Sequence, residues 1–381
     1  MEKIKILHIE PASDMGGVSH FILHITQFLS KNDFEIHFVA PAGGVVFGKL
    51  EKQGVITHEL QVPLTVRSLL RARRELREYI TKNKISIVHA HTARAGVMVA
   101  VSLKGLLTSF VYTGHGWRFL QKRNFFSRVI YQLLETKIVQ RADILTCLSQ
   151  KEYAEAVKYF KVSKESTSII PYSLRIPETA NDEVREKFRK ANTGNTSAYV
   201  ITMVGRITHQ KDPETFFRIV QCLVKEIPHV HFIWVGDGPL REQYTETIRK
   251  NNLHNQFTFT GSVEPERVGQ ILQASNAMLF TSRFEGLPIS ILEAMAYALP
   301  IVATNVGSIS DAILHSETGY LFEQGDVASA VAHIKDLYMN PALARQISLN
   351  AQKFVRTYYS PETKTSQEFA SLYQKLYENS L

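Results

Sequence analysis

Four charged side chains carry the chemistry this sequence offers: Glu285 and Glu293, eight positions apart, and Arg206 and Lys211, five apart. The two acids belong to residues 282–300, SRFEGLPISILEAMAYALP. There an apolar strand at 277–280 runs into a polar bend, and Pro288 opens a helix. Proline suits a first helical turn, because its φ is already right and its missing N–H would be unpaired there. The N–H groups at such a tip carry partial positive charge and suit a phosphate. Eight steps of about 100° return a side chain to within roughly 80° of its start, so both carboxylates can face one cleft. Acids at contact distance would repel a phosphate and instead suit the hydroxyls of a ribose or a hexose. The bland alternative is a solvated loop Glu beside a helix-face Glu. Gly205-Arg206 ends another strand, and Lys211 stands at the mouth of the next helix. Glycine lets a backbone approach a ligand closely, and an Arg fork beside a Lys point charge can neutralise a diphosphate. Two solvated surface cations are the alternative here.

The elements that must position these groups alternate regularly. In the first half, apolar strands at 4–9, 34–40, 56–60, 85–89, 110–112, 144–147 and 167–170 alternate with helices at 18–30, 67–81, 94–107, 125–141 and 151–160, with a Gly-rich loop at Gly43, Gly44 and Gly48. Residues 171–196 are polar and rich in Pro, Asn and Thr, and read as a linker with a short charged helix at 182–190. The alternation then restarts, with strands at 199–204, 230–235, 257–260, 277–280, 300–303 and 320–322 and helices between and after them. Short apolar strands alternating with helices mean a parallel sheet covered on both faces. The spacing therefore predicts an α/β chain of two Rossmann-like βαβ domains, 1–175 and 176–360, facing across a cleft, with a last helix at 361–381 packing back on the first. Ligands bind beyond the carboxyl ends of strands in such sheets.

The totals agree with this organisation. A chain of 381 residues, 44% hydrophobic and 21% charged, fits two soluble domains. Cys147 and Cys222 sit at apolar positions far apart, as buried free thiols of a reducing compartment do. No signal-peptide pattern opens the chain and no stretch is apolar enough to span a membrane, so a cytoplasmic location is expected. The charge is uneven: residues 1–175 hold 25 Lys+Arg against 14 Asp+Glu, a balance of +11, while the whole chain carries +8. That asymmetry points to an anionic partner for the first half.

Three stretches of the second half are specific together: VGRITHQKD at 204–212, VGDGPL at 235–240 and FEGLPISILEAMA at 284–296. In this order they resemble glycosyltransferase family 4, retaining transferases of the GT-B fold that use nucleotide-sugar donors. The resemblance implies that Arg206 and Lys211 take the charge of the departing diphosphate, that Glu285 contacts the donor sugar, and that Glu293 contacts the ribose. It places backbone groups of Gly205, Phe284, Gly286 and Leu287 toward sugar or phosphate. It also implies catalysis without a metal or other cofactor, by front-face displacement in which Glu285 orients and stabilises. Gly236, in the turn Gly236-Asp237-Gly238-Pro239, lies near the nucleotide in the family; the residues alone favour a tight turn, since one Asp is a poor magnesium site. In the first half the resemblance sets Gly16-Gly17 against the donor phosphate and the acceptor, and His115, between Gly114 and Gly116, beside the donor sugar. Gly16-Gly17 is not a full dinucleotide fingerprint, and a plain tight turn is its alternative. His89 and His91 bracket a strand end, one of them capping the sheet and His91 a candidate on the acceptor side. Their spacing makes no zinc site without another ligand nearby. Ile170-Pro171-Tyr172-Ser173 departs from the family's usual Asn-Gly turn, and Ser308 stands where a second glycine is common.

Basic residues on two first-half helices (Arg67, Arg71, Arg73, Arg74 and Arg77; Lys122, Arg123 and Arg128 beside Phe125 and Phe126) suggest docking on an anionic membrane surface, at about 1 kcal/mol per basic residue. A polyprenyl-diphosphate-linked glycan is then the expected hydroxyl acceptor. Nucleic acid is a poor partner, since no stacking platform is present. Two other functions fit parts of this pattern: a nucleotide-sugar 2-epimerase of the same shape, and a non-catalytic sugar-nucleotide-binding subunit.

Overall fold

A computed structural model describes residues 3–13, 16–62, 66–120, 125–177 and 182–380. The chain divides into two compact units, Met1–Ser173 with Thr363–Leu381, and Leu174–Glu362.

In the first unit the order is β1 (Ile4–Ile9), α1 (Gly17–Phe28), β2 (Phe34–Ala40), α2 (Val45–Lys52), β3 (Ile56–Glu59), α3 (Val66–Asn83), β4 (Ile87–His91), α4 (Thr92–Ser102), β5 (Ser109–Thr113), α5 (Phe125–Val139), β6 (Ile144–Cys147), α6 (Gln150–Phe160) and β7 (Thr167–Ile169). The seven strands are all parallel, in the order β3-β2-β1-β4-β5-β6-β7. Leu7 and Ile9 enter one core and Ile4 and Ile6 the other. The strands are therefore apolar on both faces, which is why they read as continuous runs.

Two local expectations change. The glycine-rich segment forms α2, with Gly48 inside it. The fourth strand lies two residues later than its apolar pattern implies, because it pairs in register His8 with His89 and His91 with Thr113. His89 and His91 are thus both strand residues, fully buried, and neither caps the sheet.

The second unit runs α7 (Asp182–Thr193), β8 (Tyr199–Val204), α8 (Pro213–Glu226), β9 (Val230–Val235), α9 (Arg241–Lys250), β10 (Phe257–Gly261), α10 (Pro265–Ala274), β11 (Ala277–Phe280), α11 (Ile289–Ala296), β12 (Ile301–Thr304), α12 (Ile309–Ala312), β13 (Tyr320–Phe322), α13 (Val327–Met339) and α14 (Pro341–Tyr358). Its six parallel strands are ordered β10-β9-β8-β11-β12-β13. The last helix, α15 (Lys364–Glu378), joins the first unit, where Phe369 and Tyr373 complete one core. The Tyr373 hydroxyl reaches His89 Nδ1 at 2.7 Å, and Ser173 Oγ accepts from Thr365 N at 3.0 Å.

In both sheets the strand order reverses once, between β1 and β4 and between β8 and β11. Connections on either side of such a point leave in opposite senses and open a crevice at the strands' carboxyl ends. At or just beyond the ends of those four strands lie Glu10, His91, Gly205 and the 281–287 bend.

Helices α3 and α5 revise the basic surface. Arg71 and Arg74 pair with Glu75 and Glu78 one turn on, at 2.8 Å each. Arg73 donates to Val101 O at 3.1 Å, and Arg77 to Ser102 O and Lys104 O, so both cap the carboxyl end of α4. These arginines are largely committed within the fold. Lys122, Arg123 and the Arg67 side chain lie outside the described residues. On α5, by contrast, Phe125, Phe126, Ile130 and Leu133 are 73%, 78%, 57% and 61% exposed. With Val129 and Leu134 they make an apolar stripe at helical spacing that faces outward. Cys147 is buried and Cys222 half-buried, and both are free thiols.

Candidate active site

Lys211 is the centre of the second unit's switch point. It ends a 3-10 turn, His209–Lys211, and Asp212 follows at φ +48° as the cap of α8. The Asp212 carboxylate accepts from Thr215 N and Oγ1 and from Arg283 at 2.8 Å. The Lys211 and Asp212 carbonyls accept from Thr281 Oγ1, and Gln210 exchanges bonds with Arg283 N and Phe284 O. The turn after β8 is thereby stitched to the bend after β11. Its product is a contact between Lys211 Nζ and Glu285 Oε1 at 2.7 Å, with the two side chains only 13% and 9% exposed. Nζ also lies 4.3 Å from the centre of the Phe280 ring, where a cation is attracted by the ring face.

Glycines make room for this pair. A Cβ on Gly205, at φ +150°, would lie 2.6 Å from Lys211 Cε, and one on Gly236 would meet Gly205 O at 2.3 Å. Gly307, at φ +55°, matters as much, since a Cβ there would be 1.8 Å from Glu285 O. Ser308 N donates to Gly286 O beside it. The loop after β12 thus supports the Glu285 backbone, and Ser308 fits there.

Glu293 differs from Glu285. Pro288 is the N-cap of α11, in extended conformation (φ −72°, ψ 122°), and helix begins at Ile289 rather than at the proline. Glu293 is half-buried. Desolvation pushes its carboxyl up to about 7, and among the described residues no hydrogen-bond donor or cation pairs with it. A carboxylate so placed awaits donors. Phe284 and Leu287 are half-buried on the bend. Arg206 is exposed and has no partner among the described residues, so the fold brings Lys211 to Glu285 but brings Arg206 to neither. Asp237 is a turn residue: its carboxylate accepts from Gly238 N and pairs with Arg241 at 2.7 Å.

In the first unit His115 lies beyond β5 with φ +54°, a conformation seldom stable for a residue with Cβ unless its surroundings impose it. Trp117 packs where a Gly114 Cβ would be, 2.7 Å from its ring. Buried Glu152 binds both Gly116 N, at 2.8 Å, and Leu148 N, at 2.6 Å. The His115 ring is half-buried, edge-on to Phe21 at 5.0 Å, with Nε2 3.1 Å from His91 Nδ1. Its Nε2 edge points into the fold. Burial holds its pKa down at about 3. Gly16 caps α1, and among the described residues nothing lies within 4 Å of where a Cβ on Gly16 or Gly17 would stand, so no packing there demands glycine.

Two groups carry no readable signal in the sequence. Glu10, the buried acid after β1, accepts from Ser19 Oγ at 3.0 and 3.1 Å, and burial raises its pKa to about 8. His8 joins His89 and His91, with one ring nitrogen of each within 4.8 Å of the others. This is the third ligand that His89 and His91 lack in sequence. Five of the six ring nitrogens, however, already hold protein partners, leaving His8 Nε2 alone.

Residues 15–173 match the model for Glycosyltransferase Family 4, and residues 184–354 that for Glycosyl transferases group 1. The chain belongs to the family 4 glycosyltransferases. The Escherichia coli UDP-Gal:alpha-D-GlcNAc-diphosphoundecaprenol alpha-1,3-galactosyltransferase is 25% identical over 343 residues, 86% of each chain. The alpha-D-kanosaminyltransferase of Streptomyces kanamyceticus is 25% identical over 320 residues, 81% of each. The crystal structure of Anabaena HepE in complex with UDP and glucose superposes with a TM-score of 0.83 at 19% identity, covering 98% of this chain and 100% of that one. Its likeness shows the GT-B fold. This glycosyltransferase is accordingly an enzyme, which sets aside the non-catalytic alternative.

Proposed function

We propose that this glycosyltransferase moves a hexose or N-acetylhexosamine, with retention at the anomeric carbon, from a nucleoside-diphosphate sugar to a hydroxyl of a lipid-linked glycan precursor. The observation that carries this reading is the sheltered Lys211–Glu285 pair at the second unit's switch point, with the unpaired Glu293 carboxylate on the helix beyond it. Lys211 supplies positive charge to the diphosphate as the anomeric bond breaks, and Glu285, which orients Lys211, accepts from sugar hydroxyls. Arg206 stands free to reach the phosphates when the donor is in place. Glu293 accepts from the ribose hydroxyls, and His115 and the open Gly16-Gly17 turn serve the sugar and the acceptor. Charge of this kind from side chains and the α11 tip does the work of a divalent ion, so the reaction is metal-independent. UDP is the first donor to try, because it is the nucleotide in the names of the Escherichia coli relative and of the HepE complex.

A thermal-shift panel of nucleoside diphosphates and their sugars tests this directly. UDP at about 100 times its Kd adds about 2.7 kcal/mol of apparent stability by mass action. No shift with any nucleoside diphosphate would remove the donor assignment.

The Glu293 carboxyl gives a pH signature. Its pKa lies above the ordinary carboxylate range, so at pH 6 it is mostly protonated, with one oxygen turned into a donor and the other a weaker, uncharged acceptor. UDP affinity through this group should rise as pH climbs through 7, by about tenfold between pH 6 and 8. In Glu293→Gln the affinity itself should stay flat across that range, so that its ratio to wild type changes by about tenfold. Parallel titration curves for the two proteins would end the ribose assignment.

For the acceptor side, the apolar stripe of α5 is read as an interfacial surface. Arg128, Lys137 and Arg141 are exposed along the same helix and just after it, and the +11 balance of residues 1–175 favours an anionic bilayer as the occupant. No described helix is long and apolar enough to cross a membrane, so the attachment is peripheral, on the cytoplasmic leaflet. Phe125→Ser with Phe126→Ser should cut sedimentation with phosphatidylglycerol vesicles at least tenfold, with unchanged turnover of a water-soluble acceptor. Equal binding by wild type and variant, or equal binding to neutral vesicles, counts against this surface.

A further inference from the structure

We propose that His8 and His91 are positioning residues that fix which nitrogen of His115 carries its proton, so that His115 presents an Nδ1–H donor to the ligand. The inference rests on the placement of His115 at the donor sugar.

Three imidazoles stand in series across the carboxyl ends of β1, β4 and β5. His8 Nδ1 lies 3.0 Å from His91 Nε2, and His91 Nδ1 lies 3.1 Å from His115 Nε2. A neutral imidazole has one N–H and one bare nitrogen, so two such bonds in series permit only two arrangements. Either all three rings are protonated at Nδ1, or all three at Nε2. The arrangements differ at the ends of the chain. At the inner end His8 Nε2 is fully enclosed and meets no hydrogen-bond partner among the described residues. At the outer end His115 Nδ1 has no hydrogen-bond partner among the described residues, and the residue is only half-buried.

The Nε2 arrangement would bury an N–H with nothing to accept it, a rare state in folded proteins. The Nδ1 arrangement leaves only a bare nitrogen inside and puts the N–H at the open end, where phosphate and sugar oxygens can accept it. All three rings stay neutral across the physiological range, because burial lowers each of their pKa values, so the series does not break by charging. His89 is fixed separately and oppositely. Tyr112 O can only accept, so Thr146 donates to it and Thr113 to Thr146. His89 Nε2 then donates to Thr113 at 2.7 Å, and Tyr373 donates to His89 Nδ1. His89 is thus an internal reference with the other tautomer.

Long-range ¹H–¹⁵N correlation spectra of the full chain, labelled at histidine and assigned with His115→Gln and His89→Gln, report the protonated nitrogen of each ring. Histidine free in water favours Nε2–H, so the expected result is distinctive: Nδ1–H at His8, His91 and His115, and Nε2–H at His89. His8→Phe leaves His91 Nε2 enclosed beside a ring that cannot accept, so by the same rule His115 keeps Nδ1–H; His8→Met, whose sulfur can accept but not donate, should return His115 at least partly to Nε2–H, lowering kcat about tenfold with little change in donor KM. Nε2–H at His115 in the wild type overturns the proposal, as does a stoichiometric metal ion held by His8, His89 and His91 in the purified protein. If the tautomers are as stated but His115→Ala turns over like wild type, the relay stands and the placement of His115 at the sugar is what fails.

Discussion

Replacing Lys211 by alanine should lower kcat for sugar transfer by about 10²–10³-fold, the loss typical of deleting one preorganised donor to a developing anion. The ammonium is held between Glu285, at 2.7 Å, and the Phe280 ring, and its stem lies where Gly205 has no Cβ. It therefore needs little reorganisation when charge appears on the leaving diphosphate. The same change strips a sheltered carboxylate of its counter-ion, which costs about 3–5 kcal/mol when a buried pair is broken on one side. Because Glu285 is not wholly enclosed, the lower end of that range is expected. Lys211→Met combined with Glu285→Gln separates the two effects. The double variant should recover most of the lost stability, since no lone charge remains, and none of the lost activity. Arginine should not rescue, because its wider planar head does not fit the space over Gly205. Initial rates with a UDP-sugar and urea unfolding curves measure both quantities; a Lys211→Ala enzyme within threefold of wild-type kcat removes lysine from the reaction.

Gly307→Ala should be nearly as damaging, although residue 307 touches no reacting group in this scheme. The added Cβ would lie 1.8 Å from Glu285 O at a backbone φ of +55°. The neighbouring atom is main chain, so the 285–286 peptide or the loop after β12 must move. A shift of about 1 Å at a positioning residue can cost about 10²-fold in rate. The strain should also remove more than about 1 kcal/mol of stability. Gly16→Ala is the control. Gly16 caps α1 with extended backbone (φ −152°), and among the described residues nothing lies within 4 Å of where its Cβ would stand, so stability should hold within about 0.5 kcal/mol and any loss should fall on substrate KM. Gly307→Ala with wild-type kcat and melting temperature would mean that the Glu285 bend does not depend on this loop.

The alternation of apolar strands with helices, and the three glycine-bearing stretches of the second half, were legible in the chain because each is a local property. Strands of a doubly covered sheet are apolar runs, and turns at their ends need Gly, Asp and Pro. From these alone come the two βαβ units, the strand ends at Gly205 and Gly236, and the pairing of Lys211 with the 284–296 stretch as candidates. What a local pattern does not hold is which side chains meet across strands. The register of β1 on β4 sets His8 beside His89 and His91, and the strand order puts Lys211 against Glu285, 74 positions away. The demand on Gly307 comes from a main-chain oxygen of another loop. The α3 arginines read as a basic patch because sequence records charge and not partners, whereas folding directs two of them to the end of α4. Periodicity settles which face of each element is buried; neighbours distant in the chain settle what each polar group on that face is hydrogen-bonded to, and that decides its chemistry.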